Sequence, residues 1–552
     1  MRTIFLIWAL LALGAGEWVS AEEGNKAPPA ETLQIEGGAI SGINVEGKMP
    51  VRAYLGVPFA APPIGPLRWK PPQPPLAWEG VLCCADFGAA CPQPKALLSG
   101  PVVRQSEDCL YLNVWTSAKT AGAKLPVMVW IHGGGCTTGA GSQPFYNGVQ
   151  LAQAGVVAVT INYRLGIFGF LAYPLLSKES AHNVSGNYGA LDQIAALQWV
   201  QRNIKAFGGD PECVTIFGES AGAASVSRLL VSPLAKGLFH RAIAESGGPF
   251  GHNRHLREKW YNEEPMEQVG LKLAEKLGCA AAPDPLAALR AKTADELLAV
   301  ADAAVGLYAK GTRYGWVVDG WVLPDDPGVL FEAGPAQAVP LLTGSNANEG
   351  TVFLKNLPIQ REIGYRWFLE KALGSAAAGM EMEKLFPVEN GDIRAALDRV
   401  TTAAAFAWPA RAMVRAMEKV KAPAYLYQFV KAPAHEGPNK LGACHALEIP
   451  YVFGNLSQLK ALRLEDADRA LSQTMVAYWT NFAKTGNPNG AGLPQWPAYR
   501  AAEDAYLELE ATPVAKTGLF KEACELLDPL NENKMRNRKL DEGKNDGAGI
   551  ES

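Results

Sequence analysis

Gly218-Glu219-Ser220-Ala221-Gly222 sets a serine hydroxyl between two glycines, one two residues before it and one two residues after. In a chain with 56 glycines the pentapeptide alone says little. Its context says more: Val-Thr-Ile-Phe at 214–217 predicts a buried strand, and 223–230 predicts a helix. A serine on a tight strand-to-helix turn is pushed out above a sheet, with the N–H groups of the helix N-terminus beside it. Nucleophilic attack on an acyl carbon is the chemistry this suits, and it needs a base to take the hydroxyl proton. Of seven histidines, His132 opens a glycine run, and His182, His240, His252, His255 and His435 have no supporting pattern. His445 lies in Gly442-Ala-Cys-His-Ala-Leu-Glu, a loop leading into an apolar segment. Elbow serines of this kind are followed in the chain by an acid and then by the histidine, which puts the acid between 220 and 445. Glu349, just after the apolar run 339–343, is the leading candidate, with Asp319 and Asp325 as alternatives.

His132-Gly133-Gly134-Gly135 follows another apolar run, 126–131. Residues without side chains let backbone N–H groups come close to a tetrahedral oxyanion, and one such donor is typically worth about a hundredfold to a thousandfold in rate. These pieces need a scaffold. The uniformly apolar runs 126–131, 156–161, 214–217 and 339–343 read as strands covered on both faces, as in a parallel sheet. Helical spacing over 188–207 ends at Gly208-Gly209-Asp210-Pro211. The alternation predicts an α/β fold: a large, mostly parallel twisted sheet flanked by helices. Residues 255–420, rich in Ala, Leu and Glu, predict a helical insertion over the catalytic face. No repeat or linker divides the chain, so one catalytic domain is expected over residues 30–522.

The 552 residues are 48% hydrophobic and 19% charged, enough for a large core, and the net charge is -4. Lys and Arg are scattered, which leaves no basic footprint for nucleic acid or for an anionic membrane. Residues 1–21 read as a signal peptide: Arg2, an apolar stretch at 4–16, then Val19-Ser20-Ala21 as a cleavage site. That stretch is too short to cross about 30 Å of hydrocarbon. A secreted or periplasmic protein without stable membrane insertion is expected, with residues 531–552 as a disordered polar tail. The nine cysteines include no Cys-x-x-Cys, and no metal or other cofactor is expected.

Three further stretches join Phe217-Gly-Glu-Ser-Ala-Gly-Ala223 and extend the pattern: Tyr54-Leu-Gly-Val-Pro-Phe-Ala-Ala-Pro-Pro63, Ser106-Glu-Asp-Cys-Leu-Tyr-Leu-Asn-Val-Trp115 and Asn162-Tyr-Arg-Leu-Gly166. With these the sequence resembles the type-B carboxylesterase family of α/β-hydrolases, from about Gly38 to Trp496. The resemblance implies a Ser220, Glu349 and His445 triad acting on a small-molecule ester, and an oxyanion hole from the N–H groups of Gly134, Gly135 and Ala221. It also implies a Cys91–Cys109 disulfide. At the position of a second family cysteine, partner to Cys279, stands Ala288. An amidase or lactonase using the same site, and a non-catalytic binding protein of this fold, are the alternative readings.

The family comparison places Pro249-Phe-Gly-His-Asn-Arg-His-Leu-Arg257 near the acyl side of the site. Phe250, His252, Arg254, His255 and Arg257 are the acyl-pocket candidates. Their cationic groups suit an acyl part with an additional carboxylate, as in dicarboxylic hemiesters or tricarballylate-type esters. A solvated loop is the plain alternative. The oligomeric state is not legible in the sequence.

Overall fold

The computed structural model describes residues 30–531 except 48, 96–103, 251–252, 261–262, 433, 435–440 and 461. The predicted signal segment 1–21, His252 and all but the first residue of the predicted tail lie outside the described residues.

The main sheet has eleven strands. In chain order they are β1 (Ile43–Val45), β2 (Val51–Pro58), β3 (Tyr111–Thr116), β4 (Leu125–Ile131), β5 (Val157–Ile161) and β6 (Gly209–Glu219). β7 (Arg241–Glu245), β8 (Leu341–Asn346), β9 (Ala424–Phe429), β10 (Ala505–Leu509) and β11 (Val514–Thr517) complete it. Across the sheet the order is β11-β10-β9-β8-β7-β6-β4-β5-β3-β2-β1. From β10 to β5 all neighbours are parallel, and the two margins turn antiparallel. The four apolar runs singled out in the sequence are β4, β5, β6 and β8, all in the central part. Successive side chains of a strand point to opposite faces. Val127, Val129 and Ile131 of β4, with Ile216 of β6, enter one core, while Met128, Trp130 and Phe217 enter the other. That is why these strands are apolar throughout. Trp130 anchors the second core, its ring about 5 Å from those of Tyr146, Phe217 and Phe453.

Helix α1 (Tyr188–Asn203) runs on into a short 3-10 turn, Ile204–Phe207, before Gly208 enters the left-handed region at φ 79°. α2 (Ala221–Val231) follows β6 directly. α3 (Ile393–Thr402) and α4 (Trp408–Lys419) are joined by a π-turn at Ala403–Ala407. The helical middle of the chain is two excursions divided by β8, one between β7 and β8 and one between β8 and β9. A buried ion pair ties α1 to the loop after β5: Arg164 Nε and Nη2 donate to the two carboxylate oxygens of Asp192 at 2.8 and 2.7 Å. No helix among the described residues is long and apolar enough to cross a membrane.

Candidate active site

In a parallel sheet the strand ends share one edge, and the loops leaving the carboxyl ends meet there. Ser220 follows β6, Ser246 follows β7, Glu349 follows β8, His445 follows β9, and Gly133 follows β4. Register brings them level, because Glu219 pairs with Glu245 and Glu245 with Gly344.

Ser220 sits at φ 57° and ψ -120°, a conformation that side chains with a Cβ rarely adopt. Its own N–H donates to the Glu245 carbonyl at 2.9 Å and its carbonyl accepts from Ala224 N–H, so the strained turn is held from both sides. The flanking glycines are steric necessities: a Cβ on Gly218 or on Gly222 would run into the Ile131 carbonyl. β4 and the elbow are packed backbone to backbone. Gly134 and Gly135 take φ of 101° and 65°, and with Ala221 they line the same cavity as Ser220. Among the described turn and loop hydrogen bonds none uses the N–H of Gly134, Gly135 or Ala221. His132 is buried with Nδ1 2.8 Å from the Gly133 carbonyl and its ring stacked on Tyr163. Burial pushes its pKa down to about 4, so it is a neutral anchor of the glycine loop.

His445 Nδ1 donates to Glu349 Oε2 at 2.6 Å, and Glu349, fully buried, accepts the Asn346 N–H on Oε1 at 2.7 Å. Phe353 and Phe406 stand with ring centroids 5.0 Å from the imidazole, Phe406 carried there by the π-turn. The other ring nitrogen, Nε2, lies 3.0 Å from Glu219 Oε1. Ser220 and His445 line one cavity, but no hydrogen bond joins them among the described residues. In free enzymes such bonds are often long and tighten when substrate arrives. Burial acts to push the imidazole down, and the Glu219 and Glu349 carboxylates outweigh it, holding the pKa up at about 9. Burial also pushes Glu219 up, to about 8, and Glu448 to about 7. Glu448 accepts from Asn346 Nδ2 and from Ser246 Oγ. Asp319 instead caps a turn, accepting the N–H groups of Trp321, Val322 and Leu323, and neither it nor Asp325 lines the cavity.

The cavity holds about 410 Å³. Of the acyl-pocket candidates, Phe250 and Arg254 line it and two do not. Arg257 is exposed and bonded to Glu267 and to the Asn183 carbonyl, while His255 is buried against Trp260. Alternation separates Arg254 from His255: the two form a short strand beside Val317–Val318, so adjacent side chains face opposite ways. Four contributors went unread in the sequence. Arg228 lies on the cavity-facing stripe of α2 with Ala221 and Ala224, a helical spacing visible in the sequence. Glu219 was inside the serine motif, and Glu448 is three residues beyond His445. Arg313 had no local signal.

Cys91 and Cys109 are both buried, and the neighbouring Cys91 thiol together with burial pushes the Cys109 thiol well up. The expected bridge between them is not formed, and both are free thiols. Among the described residues no group of three or more His, Cys, Asp or Glu is placed to hold a metal ion.

A nucleophile elbow at the carboxyl edge of a mixed eleven-stranded sheet, with a glycine loop and a bonded His–Glu pair beside it, defines an α/β-hydrolase. The sequence profile of the Carboxylesterase family matches residues 29–527, and the chain belongs to that family of carboxylic ester hydrolases. It is 39% identical over 483 residues to the fumonisin B1 esterase of Sphingopyxis macrogoltabida, covering 85% of each chain. It is 39% identical over 489 residues to the para-nitrobenzyl esterase of Bacillus subtilis, covering 86% of this chain and 94% of that one. A solved structure of PNB esterase superimposes with a TM-score of 0.77 at 35% identity, covering 90% of this chain and 99% of the other.

Proposed function

We propose that this chain hydrolyses small carboxylic esters through an acyl-enzyme on Ser220, with His445 as general base and Glu349 as its acid partner. The bond between His445 Nδ1 and Glu349, beneath a strained serine turn on the same cavity, carries the reading. Ser220 Oγ attacks the ester carbonyl carbon while His445 Nε2 takes its proton. The carbonyl oxygen becomes an oxyanion facing the N–H groups of Gly134, Gly135 and Ala221. As it collapses, the bond to the alcohol oxygen breaks and the imidazolium returns the proton to the leaving alcohol. Water, deprotonated by His445, then attacks the acyl carbon and frees the acid and Ser220. Glu349 stays a carboxylate throughout and steadies the imidazolium. Ser220→Ala should leave only a trace of the rate on a butyrate ester. A fluorophosphonate should label wild type once per chain, at Ser220. Activity retained in S220A would overturn the assignment.

The leader-like sequence at 1–21 supports export, and the paired buried thiols Cys91 and Cys109 are suited to oxidation in such a compartment. The reading is therefore of a secreted or periplasmic esterase whose first bridge closes after export.

A further inference from the structure

Three arginines line the cavity from three different elements: Arg228 from α2, Arg254 from the short strand Arg254–His255, and Arg313 from the loop before Val317–Val318. Glu219 is the sole acid among the described residues lining that cavity, and it faces His445. Positive charge therefore exceeds negative along these walls.

The direct partners of the three differ. Arg254 Nη1 meets Glu263 Oε2 at 2.5 Å, on a glutamate 36% exposed. Arg228 Nη2 donates to Asn253 Oδ1 at 2.9 Å, and the Asn253 amide donates in turn to Asp326 at 2.9 Å, so its counter-charge is one residue removed. Arg313 donates to the carbonyls of Gly306, Leu307 and Ala309. The Nε groups of Arg228 and Arg254 are both buried with no hydrogen-bond partner. Buried donors without acceptors are costly, and a guanidinium fork matches a carboxylate in shape and charge. Desolvation pulls Arg228 below its ordinary value, and it does the same to Arg313 with added repulsion from Arg254. An anion in the cavity would relieve these effects.

We propose that Arg228, Arg254 and Arg313 form a carboxylate-binding subsite, and that the favoured substrate is an ester carrying a second, free carboxylate. This rests on the ester-hydrolase reading above. Arg228 is two helical turns from Ala221, about 10 Å along the axis of α2, and helical side chains lean back toward the N-terminus. The bound carboxylate therefore stands several bonds from the reacting carbonyl, and the spacing between ester and acid should matter.

The test compares kcat/KM for monobutyl esters of succinate, glutarate and adipate with those of neutral butyl esters of equal chain length. A second arm puts the acid on the alcohol half, comparing butanoate esters of 5-hydroxypentanoate and of pentanol. In at least one arm the acidic ester should lead by about tenfold or more, the worth of a charged hydrogen bond, with an optimum in chain length. Arg228→Gln and Arg254→Gln should each cut the acid-to-neutral ratio by about tenfold, with Arg228→Lys retaining part of it. Arg257→Gln, outside the cavity, should keep the wild-type ratio. Calorimetric binding of glutarate, present in wild type and Ser220→Ala but lost in Arg228→Gln, reads the subsite without turnover. Neutral esters hydrolysed as fast as acidic ones in both arms, with no glutarate binding, would overturn the subsite and leave the esterase reading intact. Loss of all ester hydrolysis with glutarate still bound would overturn the esterase reading instead.

Discussion

Glu349→Gln changes little in volume and keeps a carbonyl oxygen for the Asn346 N–H that Glu349 accepts at 2.7 Å. What it removes is the charge 2.6 Å from His445 Nδ1. An amide can offer its N–H to Nδ1 instead, which moves the ring proton to Nε2. There it would point at Glu219 Oε1, 3.0 Å away in the present arrangement. The nitrogen that must accept the Ser220 proton would then already be protonated. A comparable acid-to-amide change in a serine protease lowers kcat by about ten-thousandfold through this tautomer effect. That corresponds to about 5.4 kcal/mol of barrier. Here the fall in kcat should be on the order of ten-thousandfold, because Glu219 reinforces the unproductive tautomer.

The assay is steady-state hydrolysis of a butyrate ester with fluorophosphonate titration of active sites and circular dichroism to verify folding. KM should move far less than kcat, since the imidazolium exists only as the transition state is approached. A drop in kcat below tenfold, or a change confined to KM, would refute the role of Glu349. So would an equal loss in Asp319→Asn or Asp325→Asn.

Glu219→Gln tests the electrostatics from the other side. Only neutral His445 can act as base, so kcat/KM falls as pH drops through its pKa, which two carboxylates hold at about 9. Removing one should move the acid limb to lower pH by about one unit or more, and an unmoved limb would deny that Glu219 acts on the ring. Asp192→Asn leaves the buried Arg164 guanidinium without its carboxylate and should cost about 3–5 kcal/mol, seen as a lower denaturant midpoint or insoluble protein. An unchanged midpoint would mean the pair contributes nothing. Protein recovered from an oxidising compartment should carry the Cys91–Cys109 bridge, which closes a short loop and adds about 3 kcal/mol in the chain-entropy model. Non-reducing peptide maps with both thiols free would remove that bridge.

What could be read from the sequence was whatever a short local rule controls. The strand β6, the elbow at Ser220 and the helix α2 announce themselves because two glycines are required where backbone meets the Ile131 carbonyl. Uniformly apolar runs marked the central strands because each feeds two cores. The outermost strands were harder: β1 is three half-buried residues and β11 is exposed throughout, and their patterns resemble those of ordinary loops. The division of the helical middle by β8 follows from pairing with β7 and β9, which no local pattern encodes. The loop 249–257 shows the limit most sharply. Four cationic or titratable residues within it look equivalent on paper. Strand alternation sends Arg254 to the cavity and His255 away, and Glu267 claims Arg257. Arg313 joins Arg254 only through tertiary packing.

Four glutamates, 219, 245, 349 and 448, are buried together at the carboxyl edge of the sheet. Charges so close in a dry interior cannot all persist, and the donors around each decide where negative charge is kept. Glu245 receives one donor, the Trp479 indole N–H at 2.9 Å, its other oxygen has no partner, and burial holds it well up. Glu219 Oε1 accepts no well-aligned hydrogen bond, although it faces the imidazole at 3.0 Å. Glu349 is different in kind: one oxygen takes a backbone N–H and the other takes the imidazole N–H. A backbone donor at the end of β8 cannot rotate away, so this carboxylate is aimed by the sheet itself. The geometry therefore sets Glu349 apart from Glu219 and Glu245 without reference to chain order. The carboxylate bonded to His445 Nδ1 is the one whose position the strand fixes, while Glu219 faces the other ring nitrogen.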